Sequence, residues 1–169
     1  MTDILVAGIG NIFLGDDGFG VEVVRKLALR PMSSGVVVKD FGIRGVDLAF
    51  ALDTAKTIIL VDAASRGKAP GTLYTIEPDL KDLASDGGVP DAHSMDPMQV
   101  LGLARQLNIL PGRILLVGCE PATFGPENEG HMGLSPLVEA AVDRAVDVIE
   151  KLIATLHATE AESATQMKV

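Results

Sequence analysis

Short apolar segments alternate along this chain with longer segments in which apolar residues recur at helical spacing. This alternation is typical of α/β domains, in which helices cover a largely parallel sheet. The pattern predicts five strands, at residues 4–8, 36–41, 57–61, 73–76 and 114–117. It predicts four helices, at residues 18–29, 46–52, 97–107 and 136–156. Ser135 before Pro136 is a favourable N-cap for the last helix.

The connection between the third and fourth strands limits the topology. Residues 63–72 include Gly67, Pro70 and Gly71 and are too short and too rich in turn-forming residues to hold a helix. Parallel neighbours normally need a helical crossover, so we expect the fourth strand to be antiparallel and at an edge. The predicted fold is a three-layer α/β/α domain with a mixed five-stranded sheet, a phosphorylase/hydrolase-like arrangement.

Composition favours one compact domain and narrows the class of partner. The chain has 169 residues, 47% of them hydrophobic, which suits a single domain at residues 1–156 followed by a flexible polar tail at residues 157–169. The net charge of −9 argues against nucleic acid and anionic membranes as partners, and no apolar run is long enough to span a bilayer. A single cysteine, Cys119, allows no internal disulfide and favours a cytoplasmic location.

Acidic residues follow two of the predicted strands. In open α/β sheets, ligands bind beyond the carboxyl ends of the strands where the strand order reverses, here between the first and third strands. Asp16 and Asp17 lie in the loop after the first strand, and Asp62 directly follows the third. Asp residues also cap helix starts, so one of the adjacent pair is expected only to open the first helix. The residues alone do not decide which one that is.

A loop histidine could complete a metal site with these acids. His93 lies near the middle of the loop at residues 87–96. It can bind the same ion as the acids only if that loop folds back over them. Two carboxylates and an imidazole suit divalent first-row metals, including nickel and zinc. The alternatives are a surface histidine and a turn-capping aspartate.

Other catalytic motifs are absent from the sequence. It contains no HExxH helix, no GxSxG elbow and no Walker A loop, and Phe13 occupies the third glycine position of a dinucleotide fingerprint. Cys119 is expected to be a buried small side chain rather than a nucleophile. His131 and His157 are expected at the surface, although His131 precedes the last helix and could approach the site.

Taken together, the motifs resemble the nickel-iron hydrogenase maturation proteases. The run GIGNIFLGDDGFGVEVV is similar to the opening signature of that family. The similarity continues through DFGIRGVDL, ILVDAA, the His93 loop, LLVGCEP and GLSPLVEAAV, and so covers nearly the whole chain up to the last helix.

The resemblance implies a site and an activity. It places the family's nickel-binding and catalytic residues on Asp17, Asp62 and His93, with Asp17 where some members carry glutamate. It implies one endoproteolytic cut that removes the C-terminal peptide of a hydrogenase large-subunit precursor, with nickel supplied by that substrate rather than bound in the resting enzyme. The loop Gly42, Ile43, Arg44, Gly45 occupies the place of a substrate-contacting loop. It departs from the Gly-Gly-Thr-like run of many members, which leaves the partner hydrogenase open.

Two other classes of function remain open from the sequence. One is a different hydrolase on the same scaffold, such as an exopeptidase or a peptidyl-tRNA hydrolase-like enzyme, although the net charge argues against a tRNA substrate. The other is a chaperone that grips the nickel site without cutting. Neither the oligomeric state nor the group that activates water follows from the residues.

Overall fold

Five strands form one sheet in a computed structural model that describes residues 2–79, 96–126 and 128–166. The strand order is β2-β1-β3-β5-β4, with β4 antiparallel to β5 and the other pairs parallel. The strands are β1 (Thr2–Ile9), β2 (Val36–Gly42), β3 (Ala55–Ala63), β4 (Leu73–Ile76) and β5 (Arg113–Cys119). The helices are α1 (Phe19–Leu27), α2 (Gly45–Ala51), α3 (Pro97–Gln106) and α4 (Pro136–Gln166). Short 3-10 turns precede α1 and follow α2.

Helices cover both faces of the sheet because the central strands are apolar on both sides. Along β1, Ile4 and Val6 face a core formed with α1 and α4, whereas Leu5 and Ala7 face a second core formed with α2 and α3. The other two central strands, β3 and β5, divide their side chains between the same two cores. The predicted α/β/α fold with a mixed five-stranded sheet is therefore confirmed.

The edge position of β4 follows from its connection. Residues 64–72 between β3 and β4 contain no helix, and β4 pairs antiparallel with β5, with Leu73 opposite Cys119. The observed bounds of most elements differ from the predicted ones by at most two residues.

The last helix is the exception. Its predicted end at Leu156 was wrong, because α4 continues to Gln166. Residues 158–165 are exposed, so this part of the helix has no apolar stripe that would have predicted it. Its three alanines and two glutamates have high intrinsic helix propensity. Whether this exposed end is flexible stays a prediction. No helix within the described ranges has the length and apolar character needed to cross a membrane.

Candidate active site

The carboxyl ends of β1 and β3 bring two acidic segments together. β1 lies between β2 and β3, so the strand order reverses between β1 and β3 as the sequence predicted. Asp17 lies in the 3-10 turn Gly15–Gly18 that leads into α1, and Asp62 lies at the carboxyl end of β3. A side chain at Gly20 would collide with the carbonyl oxygens of Ile9 and Val61, so glycine lets α1 begin directly against both strand ends.

The loop after β1 wraps around the carboxylate of Asp17. The Asn11 N–H donates to Oδ2 of Asp17 at 2.7 Å. Gly10 has a φ of 132°, and a Cβ there would collide with the Asp17 carbonyl, so only glycine fits this turn. The Gly10 N–H donates to the carbonyl of Gly42 at 3.0 Å and thereby joins this loop to the one after β2.

Asp17 and Asp62 are electrostatically coupled. Burial raises the pKa of Asp17, and the Asn11 N–H only partly opposes this rise. Burial also raises the pKa of Asp62 well above its usual range, and the nearby negative charge of Asp17 raises it further. The Ala63 N–H opposes this rise, and Asp96 adds to it. Such a pair can divide the roles of proton holder and base between two carboxyl groups.

Asp62 also has unused hydrogen-bonding capacity. Its side chain is 4% exposed. Among the described residues, its Oδ1 is the one buried side-chain oxygen without a hydrogen-bond partner. Because buried carboxylate oxygens are normally paired, this atom is suited to accept a hydrogen bond from a ligand or to bind a cation.

The adjacent Asp16 points elsewhere and is fully buried. Its carboxylate accepts hydrogen bonds from the N–H groups of Ala122, Thr123 and Ser135 and from the Ser135 hydroxyl, at 2.6–3.0 Å. Burial alone would raise the pKa of Asp16, but these four donors outweigh it and lower the pKa. Asp16 therefore holds the loop before α4, and Asp17 is the member of the pair that faces the site.

The third predicted ligand, His93, lies outside the described residues. Within ranges 2–79, 96–126 and 128–166, no group of three or more His, Cys, Asp and Glu side chains could hold a metal ion. Of the three predicted residues, the structure describes Asp17 and Asp62 and places them near each other. The metal site with His93, and the catalytic roles of all three residues, stay predictions.

The predicted substrate loop borders a groove beside the acidic pair. This groove, of about 290 Å³, lies between the loop after β1 and the loop after β2. Gly42, Ile43 and Arg44 line one wall and residues 10–13 line the other. Gly45 begins α2, and the Arg44 guanidinium donates to the carbonyls of Asp40 and Phe41. The loop has the position needed to contact a peptide, and that role stays a prediction.

A second cavity, of about 440 Å³, opens between the segment that follows β3 and the start of α3. Its walls include Arg66, Tyr74 and Asp96, which the sequence did not single out. Tyr74 donates its hydroxyl to the Ala64 carbonyl at 2.6 Å, and Arg66 lies over its ring. Burial, together with the charge of Asp62, raises the pKa of Tyr74 to about 12. Asp96 also caps α3 through the Met98 N–H, and an Asp before a proline was an available signal for that cap.

The remaining candidates contact residues other than Asp17 and Asp62. Cys119 is fully buried as predicted, and burial raises the pKa of its thiol to about 11, which disfavours the reactive thiolate. His131 is exposed as predicted, and its backbone pairs with that of Phe13 and Gly15. His157 lies near Ser33 on the side of α4.

The chain is similar to known hydrogenase maturation proteases. The model of the hydrogenase maturation protease family (HycI) matches residues 21–152. A putative hydrogenase maturation protease of Methanocaldococcus jannaschii is 34% identical over 154 residues, which cover 87% of this chain and 94% of the relative. The hydrogenase 2 maturation protease of Escherichia coli is 31% identical over 163 residues, which cover 95% of this chain and 94% of the relative.

Solved structures share the fold. The hydrogenase maturating endopeptidase HybD from Escherichia coli superposes with a TM-score of 0.71 at 29% identity and covers 94% of each chain. The hydrogenase 2 maturation peptidase of a Thaumarchaeota archaeon gives 0.69 at 29% identity, covering 90% of this chain and 99% of that one. Because the family model spans most of the sequence and the relatives match it nearly end to end, this chain is a peptidase that belongs to the hydrogenase maturation protease family.

Proposed function

We propose that the enzyme removes the C-terminal peptide from a nickel-loaded nickel-iron hydrogenase large-subunit precursor. The observation that carries this proposal is the pair of coupled carboxyl groups, Asp17 and Asp62, at the strand-order reversal of a maturation-protease scaffold. A half-buried acid, Asp17, beside a buried one, Asp62, gives the site both oxygen ligands and a choice of proton donor and acceptor.

Nickel, in this proposal, arrives with the substrate. Asp17, Asp62 and His93 complete the coordination of an ion that the precursor already holds through thiolates. The free Oδ1 of Asp62 supports this role, because it is a buried oxygen that lacks a donor among the described residues. Binding of the ion then places the scissile peptide against the acidic pair, so positioning lowers the barrier by proximity.

Hydrolysis requires one activated water molecule. The water oxygen adds to the scissile carbonyl carbon, its proton passes to a carboxylate, and the C–N bond breaks as the leaving amine receives a proton. The raised pKa of Asp62 suits the acid that holds this proton, as in aspartyl-type peptidases. Either a carboxylate or the substrate's nickel can activate the water. The free thiol of the only cysteine, Cys119, supports a cytoplasmic location for the reaction.

The test compares nickel-loaded and nickel-free precursor of the same sequence by intact-mass spectrometry after incubation with the enzyme. We expect only the nickel-loaded precursor to lose a C-terminal peptide. Equal cleavage of both forms would contradict nickel as the trigger. If neither the nickel-loaded nor the nickel-free precursor loses mass, the result supports a non-proteolytic chaperone.

A further inference from the structure

Large apolar side chains are exposed around the candidate site. The structure buries two of the five phenylalanines, Phe19 and Phe41, and leaves Phe50 exposed away from this face and Phe13 and Phe124 55% and 44% exposed. Leu14 and Met132 are 40% and 65% exposed. We call Phe13, Leu14, Phe124 and Met132 the apolar face. Exposed apolar side chains that lie together, unlike ones scattered singly, are a feature of interaction surfaces.

Backbone hydrogen bonds hold the apolar face together. Its members come from two parts of the chain that are more than a hundred positions apart, Phe13 with Leu14 and Phe124 with Met132. The Gly15 N–H donates to the His131 carbonyl and the His131 N–H donates to the Phe13 carbonyl, both at 2.8 Å. Next to these residues, the Asp16 carboxylate accepts four hydrogen bonds from Ala122, Thr123 and Ser135 and so links the flanking parts of the chain. The face is therefore preformed, and little conformational entropy is lost when a partner binds it.

The apolar face is continuous with the candidate active site. Asn11 donates its N–H to the Asp17 carboxylate and accepts the Phe13 N–H through its own side chain, at 2.7 and 2.9 Å. Phe13 also lines the groove beside the loop that contains Arg44. A substrate that reaches Asp17 from this side therefore has to pass Phe13.

We propose that the apolar face docks the folded body of the hydrogenase precursor next to its cleavage point. This inference rests on the proposed function and adds a second contact outside the acidic pair and the groove beside it. The groove of about 290 Å³ holds only a few side chains, and Phe124 and Met132 are not among its lining residues. A second copy of the chain is a poor occupant, since pairing two copies brings two net charges of −9 together.

The experiment replaces Phe124 and Met132, singly and together, by serine. Both side chains are exposed, so the variants are expected to unfold at the wild-type temperature, which circular dichroism checks. Leu29→Ser is the matched control, because Leu29 is 86% exposed and follows α1 at the opposite end of the sheet. Binding of the nickel-loaded precursor is measured by biolayer interferometry, and kcat and KM by mass spectrometry.

We expect the double variant to bind the precursor about tenfold or more weakly and to raise KM to the same extent. The kcat value stays within about twofold, and Leu29→Ser matches the wild type. Unchanged binding in the double variant would overturn the docking surface. So would a wild-type dimer in sedimentation that the double variant dissociates, because the face would then join two copies.

The docking surface and the proposed function can fail separately. A wild-type enzyme that cuts no nickel-loaded precursor contradicts the proposed function. The binding measurement still decides the docking surface in that case, because it needs no cleavage.

Discussion

Two neighbouring aspartates, Asp16 and Asp17, show how one sequence motif serves two purposes. Asp16 is buried and accepts four hydrogen bonds, so its pKa is lowered and its negative charge is stabilised. Asp17 accepts one backbone hydrogen bond and faces Asp62, and the pKa of both residues is raised. The same functional group therefore has a stabilised charge in one position and a destabilised charge in the next.

This difference teaches that burial alone does not mark a reactive acid. Asp16 is as buried as Asp62, yet only Asp62 has an oxygen without a donor among the described residues. Burial destabilises the charge of both carboxylates, and the hydrogen bonds that each one accepts determine whether this cost is offset. The predictions below test this contrast.

The largest expected effect is on cleavage by variants of the reactive pair. Asp17→Asn and Asp62→Asn should each reduce the rate of peptide release at least about a hundredfold, because each removes a ligand oxygen and a proton acceptor. His93→Ala is expected to reduce the rate of peptide release to a similar extent. The rate is measured by mass spectrometry on nickel-loaded precursor, and Asp53→Asn, an exposed change at the other end of the sheet, is the control. Full activity in all three site variants would remove the site assignment.

The next largest effect is expected on the stability of a variant that lacks the Asp16 carboxylate. Asp16→Ala leaves the N–H groups of Ala122, Thr123 and Ser135 without their acceptor, so we expect the free energy of unfolding to fall by about 2–4 kcal/mol. Urea denaturation followed by circular dichroism measures it. Ser135→Ala, which removes one of the four bonds, should cost about 1 kcal/mol. A stability of Asp16→Ala equal to that of wild type would mean that these bonds do not hold the loop.

The fold could be predicted from the sequence because its signals are local. Continuous apolar runs marked the buried strands, and the short connection of residues 63–72 identified β4 as antiparallel. The end of α4 was missed because apolar periodicity stops near Leu156, where the helix leaves the core and propensity alone sustains it.

The site was only partly predictable because its contacts are distant in sequence. Asp62 was identified from its place at the end of an apolar strand. The choice between Asp16 and Asp17 depends on donors at Ala122, Thr123 and Ser135, more than a hundred positions away. No local pattern records these partners, so the residues left the choice open and the family resemblance favoured Asp17.

The smallest expected effect is a gain in stability when Asp62 is replaced. Its folded pKa lies above its usual value of 3.8, so the folded enzyme keeps a proton that the unfolded chain releases. Wild-type stability therefore falls as the pH rises from about 4 through the folded pKa, whereas Asp62→Asn has no such loss. We expect the variant to be more stable than wild type at neutral pH, with a difference that disappears near pH 4.

Asp16→Asn is the matched control, because the sign of its pH dependence is opposite. The lowered pKa of Asp16 stabilises the fold above its usual value of 3.8, and this contribution is lost as the pH falls through the folded pKa. Its deficit is therefore largest at neutral pH and shrinks in acid. Urea denaturation of both variants and wild type from about pH 2 to pH 8 measures the two trends, because the Asp16 contribution changes only below its usual pKa of 3.8. An Asp62→Asn variant less stable than wild type at neutral pH would show that the folded enzyme stabilises the Asp62 charge, and the contrast with Asp16 would then be lost.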